Sequence, residues 1–299
     1  MMRYTISILA ASLFAGSMMS AGPLRAEVPV VVTDIHPVQA LVAQVMGDLG
    51  HPLLLLERGA NEHDVQLRPS QLRALSDAGL VVWIGPELTP WLDRALTSTS
   101  TADRLGLLAV PGTARRAFAP EDADAGHGTD PHAWLDPDNA RLWLGAIARA
   151  LADLDPENAA IYAANAENAE TELAALDTEL REKLAPVAQK PFVTFHDAYG
   201  FFAAHYGLAY AGSLAAGDAT LSGAARLAAL TDQIAAGGAV CVFPEAQHDP
   251  DLIAQLATGG TARLGAALDP SGSTLAPGPG GYVALMAGLA AALGECLGQ

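Results

Sequence analysis

Short apolar runs alternate with amphipathic stretches along most of this 299-residue chain. Val28 to Thr33 reads as a strand, followed by a helix that begins near Pro37. His51 to Leu56 reads as a second strand. Pro69 to Ala78 reads as a helix with proline in its first turn, where a backbone N–H is dispensable. Leu80 to Ile84 is nearly all apolar, the pattern of a strand covered on both faces of a parallel sheet. Leu107 to Val110 reads as a fourth strand, and the alternation as a whole predicts βαβ units. Pro111 to Pro131 is acidic, rich in Gly and Ala and without periodicity, so it reads as a surface loop; a helix over Pro137 to Leu154 follows.

From Pro156 to about Ala185 the chain is rich in Ala, Glu and Leu, with Leu173, Leu176, Leu180 and Leu184 on one face. About 30 helical residues span roughly 45 Å. That length predicts a rigid connector between two lobes, the other reading being a long helix packed within one domain. The pattern then restarts, with strands at Phe192 to Phe195 and Ala239 to Phe243 and helices at Tyr199 to Tyr206 and Pro250 to Ala257. A terminal helix is predicted over Gly281 to Leu297. VVVTDIHP is loosely echoed by PFVTFHDA, and LVVWIGPE by AVCVFPEA, which suggests two lobes of similar design. The expected fold is α/β: two lobes, each a mainly parallel sheet covered by helices, joined by one long rigid helix. Residues 1–26 read as a signal peptide, 27–155 as the N-terminal lobe, 156–188 as the linking helix and 189–299 as the C-terminal lobe.

With 51% hydrophobic and 16% charged residues, the chain can bury a sizeable core, which excludes global disorder. A formal charge of −17 argues against a nucleic-acid partner, whose phosphates need a basic surface. The acidic balance suits cations, although such surfaces more often serve solubility. Arg3 and the apolar stretch Ile6 to Met19 read as an export signal, cleaved after Ala21 or Ala26, against the alternative of a buried first helix. The stretch is short for a membrane span, no later segment offers one, and the absence of cysteine near the cleavage region argues against a lipid anchor. Cys241 and Cys296, an even pair in an exported chain, predict a disulfide that would pin the final helix to a core strand. Closing a loop of about 55 residues is worth roughly 4 kcal/mol on the chain-entropy model. Two unrelated buried thiols are the competing reading, and a thiolate zinc site is a poorer one because no CxxC spacing occurs.

Three histidines lie in loop motifs rich in Asp, Pro and Gly: His63 in GANEHDVQLRPS, His132 in DPHAWLDP and His196 in FHDAYGFF. They are far apart in the chain, so the fold alone can bring them together. His196 follows a strand, His63 lies in the loop after the Leu53 to Leu56 run, and His132 opens the next helical segment. All three could face one crevice at the carboxyl ends of strands. Each alone is as well read as an ordinary loop or core histidine; three neutral imidazoles with one oxygen donor make a zinc site. Asp269, in LDP, is the first choice for that oxygen, Glu62 the second and water the third. Asp64, Asp130 and Asp197 neighbour the histidines and would either orient the imidazoles or form turns and helix caps. His36 precedes a helix-starting proline near the crevice mouth, whereas His51, His205 and His248 have no supporting cluster and read as surface or core residues. His127 lies in the acidic loop with Glu121, Asp122 and Asp124, which reads as solvated surface.

The segments GANEHDVQLRPSQLRALSDAGLVVWIGPEL, DPHAWLDP, FHDAYGFFAAHYG, CVFPEAQ and LDP, in this order, resemble the zinc-binding solute-binding proteins of ABC importers. The resemblance covers nearly all of the chain beyond the signal. It implies two α/β lobes joined by a long helix, with Zn2+ carried in the cleft by His63, His132 and His196 and with Glu62 or Asp269 nearby. It also implies the disulfide between Cys241 and Cys296. Relatives that carry manganese typically place a Glu where His196 stands. One departure is the short loop before the second ligand: with only His127 between Thr113 and Pro131, metal scavenging or chaperone exchange through a His-rich loop is in doubt. The function implied is a periplasmic high-affinity zinc receptor, not an enzyme. It would act as a monomer, delivering Zn2+ to an ABC permease subunit in the inner membrane, with a periplasmic zinc chaperone as a further partner. A zinc hydrolase is the rival, since three histidines and water also make a catalytic site. No HExxH motif occurs, and Glu62 is the one placed base. A receptor for manganese or another metal, or a metal-dependent adhesin of the same fold, is a third reading; ligand softness favours zinc over manganese. Neutral imidazole is the ligand form, so affinity is expected to fall as pH drops through about 6.5.

Overall fold

The computed structural model describes residues 28–63, 65–99, 101–118, 128–216, 220–221, 224–258 and 262–299. The expected signal peptide, Asp64 and the acidic cluster with His127 lie outside them. The first half contains strands β1 (Val31–Thr33), β2 (Leu53–Leu54), β3 (Leu80–Trp83) and β4 (Asp103–Gly106). Between and after them run helices α1 (His36–Met46), α2 (Pro69–Asp77), α3 (Pro90–Thr99) and α4 (Pro137–Leu154). The strands form one parallel sheet in the order β2-β1-β3-β4. β1 and β3, the nearly all-apolar runs, are wholly buried in its centre, as expected of strands covered on both faces.

The expected strand at Leu107 to Val110 is a correction. Leu107–Ala109 forms a 3-10 turn, and the pairing residues are the preceding Asp103–Gly106. Leu107 and Leu108 are buried as the expectation required, but burial alone does not make a run extended. The edge strand, paired on one side only, tolerates exposed Asp103 and Arg104 and so lacks an apolar signature.

Helix α5 (Ala159–Leu184) has 26 residues, flanked by 3-10 turns at Pro156–Asn158 and Ala185–Val187. It buries Tyr162, Ala166, Ala169, Leu173, Leu176, Leu180 and Leu184, a single stripe at helical spacing. Beyond it lie β5 (Phe192–His196), α6 (Gly200–Tyr206), β6 (Tyr210–Ala216), β7 (Thr220–Leu221) and α7 (Ala224–Ala235). β8 (Cys241–Phe243), α8 (Pro250–Thr258), β9 (Arg263–Leu264) and α9 (Gly281–Leu297) complete the chain. The second sheet has the order β7-β6-β5-β8-β9, parallel except for β7 against β6. β1 beside β3 and β5 beside β8 hold corresponding central places, which gives the two sequence echoes a structural meaning.

The two sheets share one apolar core. A continuous cluster runs from Val31 through Trp143, Leu173 and Phe192 to Leu297. α5 packs against α1, α4 and α9, so the joining helix lies inside a helical layer along its length. The Cys241–Cys296 disulfide ties β8 to the last turn of α9, with Cα atoms 6.3 Å apart. Lys190 Nζ donates to the Leu297 carbonyl at 2.5 Å and Arg263 to the Cys296 carbonyl at 2.8 Å. Both cations thus sit at the negative end of that helix. No helix among the described residues is long and apolar enough to cross a membrane.

Candidate metal centre

The carboxyl ends of the two parallel sheets supply the site. His196 is the last residue of β5. His132 immediately precedes the 3-10 turn Ala133–Leu135 that leads into α4. Glu62 and His63 lie in the loop between β2 and α2, where His63 N donates to the Asn61 side chain at 2.9 Å. Trp91 Nε1 donates to the Glu62 carbonyl at 3.0 Å and holds the other side of this turn.

These four side chains converge. One donor atom from each of Glu62, His63, His132 and His196 lies within 4.8 Å of every other. The Nε2 atoms of His132 and His196 are 3.4 Å apart, and His63 Nε2 is 4.0 Å from Glu62 Oε1. A tetrahedral zinc with bonds near 2.05 Å requires donors about 3.3 Å apart, so a small contraction would close the set. The surroundings are dry: Glu62 is 3% exposed, His132 0% and His196 2%, while the His63 side chain is 12% exposed.

Two rings are oriented by the same device, a buried carboxylate that accepts both the ring N–H and the backbone N–H of one histidine. Asp130 Oδ1 is 2.9 Å from His132 Nδ1 and 3.0 Å from His132 N. Its other oxygen is 3.4 Å from Arg116 Nε. Glu245 Oε2 is 2.5 Å from His196 Nδ1, and Oε1 is 3.3 Å from His196 N. In the neutral ring, holding the proton on Nδ1 turns each Nε2 lone pair toward the centre. Burial, helped by the neighbouring His196, pushes His132 down to about 3, so this ring is already in the ligand form. Burial pushes His196 the same way, but Glu245, then Glu62 and Asp197, outweigh it and raise this imidazole to about 9. Burial likewise raises the Asp130 carboxyl to about 7, against its bond from His132 N and the charge of Arg116.

Asp269, the first choice for an oxygen donor, is not brought into the cluster. Its Oδ1 accepts from Gln247 Nε2 at 2.6 Å and Ser273 N at 3.0 Å. Its Oδ2 accepts from Thr274 N at 2.8 Å and Thr274 Oγ1 at 2.6 Å. The carboxylate is spent on organising its own loop. The His63-bearing loop rests there, with Gly59 N on the Ser273 carbonyl and Arg58 Nε on the Thr274 carbonyl, each at 3.1 Å. Among the neighbouring aspartates, Asp130 orients an imidazole, whereas Asp197 is bonded to the Tyr210 side chain. His36 is buried at 4% exposure and sits near Asp269.

Two histidines expected to stand alone do not. His205 Nδ1 is 3.0 Å from Asp136, and its Nε2 is 2.7 Å from Asp177. His248 stacks on Phe195 with centroids 4.2 Å apart and lies 3.7 Å from Glu245. Glu245 itself is the residue that sequence reasoning missed. Its available signal was the Pro-Glu pair ending AVCVFPEA, the segment that echoes LVVWIGPE.

Residues 31–296 match the family model described as zinc-uptake complex component A, periplasmic. The chain is 49% identical to the high-affinity zinc uptake system protein ZnuA of Paracoccus denitrificans (strain Pd 1222), with 100% of this chain and 99% of the relative covered. It is 33% identical to the protein of the same name from Brucella suis biovar 1 (strain 1330), covering 96% and 98%. Among solved structures, a crystal structure of ZnuA superposes with a TM-score of 0.76 at 25% identity, covering 90% of this chain and 99% of that one. The solute-binding protein FpvC of Pseudomonas aeruginosa in complex with Mn2+ shares the fold with a TM-score of 0.81 at 21% identity, covering 91% and 99%. The chain therefore belongs to the family of periplasmic zinc-uptake complex component A.

Proposed function

We propose that this protein is a periplasmic zinc receptor that carries Zn2+ as cargo and delivers it, as a monomer, to the permease of an ABC importer. The observation that carries this reading is the convergence of Glu62, His63, His132 and His196 at the carboxyl ends of both sheets. His63, His132 and His196 supply three neutral nitrogens, and Glu62 supplies the oxygen. This donor set favours zinc over manganese, which prefers oxygen-rich octahedral surroundings. Four protein donors close a tetrahedron and leave no open position at which a water could be activated, which supports a receptor over a hydrolase. Because the two sheets share one core through α5, release proceeds by local rearrangement more than by wide separation of the lobes.

The test is metal analysis of the protein purified from periplasm beside a His196→Ala variant. The wild type should carry about one zinc per chain and the variant substantially less. A wild-type chain loaded with manganese, or one free of metal after purification without chelator, would sink the reading.

A further inference from the structure

A second group of donors adjoins the first. His196, Glu245 and His248 also offer one ligand atom each, all within 4.8 Å of one another. Glu245 Oε2 stands between the two rings, 2.5 Å from His196 Nδ1 and 3.7 Å from His248 Nε2. His248 lies in the turn between β8 and α8, where its N–H bonds to the Glu245 carbonyl at 3.3 Å. Stacking on Phe195, nearly parallel at 15°, fixes its plane. The group has an inner and an outer end: the Glu245 side chain is 0% exposed and the His248 side chain 17%.

We propose that His248, Glu245 and the Nδ1 face of His196 form a second, weaker position for the same divalent cation. The ion passes through it between solvent and the four-donor centre. The proposal rests on the zinc reading of that centre. Two imidazoles and a carboxylate are zinc donors in their own right, and the position has one donor fewer than its neighbour. The His196 ring is common to both, with Nδ1 facing one position and Nε2 the other. An ion arriving on Nδ1 displaces the proton held there with Glu245 to solvent, while Nε2 keeps its own; when the ion moves to the Nε2 side, the Nε2 proton leaves to solvent and one returns to Nδ1. Two dications on one ring would require the ring to give up both protons, so the two positions fill alternately and the chain carries one ion.

The position is exposed experimentally by removing its neighbour. A His63→Ala, His132→Ala double variant keeps all three residues of the second group. Titrated with zinc alone, and with its fold verified by circular dichroism, it should bind one weak equivalent that disappears when His248→Ala is added. A double variant that binds none, or a weak equivalent that survives His248→Ala, overturns the proposal. In the otherwise native chain, His248→Ala should slow zinc uptake and zinc release to EDTA together, severalfold; unchanged rates overturn it as well. A wild-type chain that binds no zinc would instead remove the receptor reading beneath it.

Discussion

Replacing Glu245 by Gln tests how a buried carboxylate controls a metal donor. The change keeps the size of the side chain but removes the charge that holds a proton on His196 Nδ1 at 2.5 Å and accepts the backbone N–H at 3.3 Å. Two effects oppose each other. Loss of ring orientation and basicity weakens zinc binding by about 10- to 100-fold, or roughly 1.4–2.8 kcal/mol. Glu245 is also the main reason that the metal-free His196 imidazole is raised to about 9, and zinc must displace that extra proton. The sign follows: below about pH 9 the wild-type ring is imidazolium, and each pH unit of acidification costs about tenfold in apparent affinity. Without Glu245, burial acts on the ring with less opposition and its pKa falls, so this proton competition shrinks at neutral pH. Competition titration against a zinc-binding dye should show the variant weaker by about 10- to 100-fold at pH 8.5. The deficit should narrow by about tenfold or more by pH 7. Titration calorimetry in buffers of different ionisation heat should show wild-type zinc binding at pH 7.5 releasing close to one proton, and the variant releasing less. An equal affinity ratio at both pH values, or no loss at pH 8.5, would refute the assigned role of Glu245.

Two further outcomes concern stability. Reduction of the Cys241–Cys296 bond, or its replacement by serines, should cost about 4 kcal/mol on the loop-entropy model for a separation of 55 residues, read as a lower urea midpoint; a loss below about 1 kcal/mol would mean that the cross-link restrains little. His205 lies between Asp136 and Asp177, and although burial alone would lower its pKa, these carboxylates raise it. Its protonated form therefore stabilises the fold fully below the unfolded value of about 6.5, and that contribution is lost as pH rises through the higher folded pKa. Chemical denaturation of His205→Gln should show a larger loss at pH 6 than at pH 9, and a pH-independent loss would place the effect in packing.

What the chain disclosed in advance followed the kind of signal each residue leaves. The three histidines were legible because each sits in a turn-rich motif next to an apolar run, and strand ends gather ligands in α/β sheets. α4 and α9 match their expected limits, since long periodic stretches and a proline in the first turn are strong local signals. β6, with the sequence YAGSLAA, carries neither alternation nor β-branched residues and is made a strand by its pairing with β5. Asp269 was favoured on chemistry, but its orientation depends on which N–H groups a loop presents, and pattern does not encode that. Glu245 and His205 owe their surroundings to partners far away in the chain, His196 for one and Asp136 for the other. No local spacing announces His205, and the Pro-Glu echo alone marks Glu245.

The position of α9 has a consequence for how the molecule is assembled. Helix α9 packs on α1 and on α5, and buries Leu285, Leu289 and Leu293 in the same core as Val38, Leu41 and Val45. Order of synthesis and order of packing are therefore inverted. The N-terminal half, although it owns a complete parallel sheet, lacks one wall of its core until residue 297 has been made. Such non-local closure raises contact order and slows folding. The N-terminal sheet is thus not fully covered until α9 has reached α1.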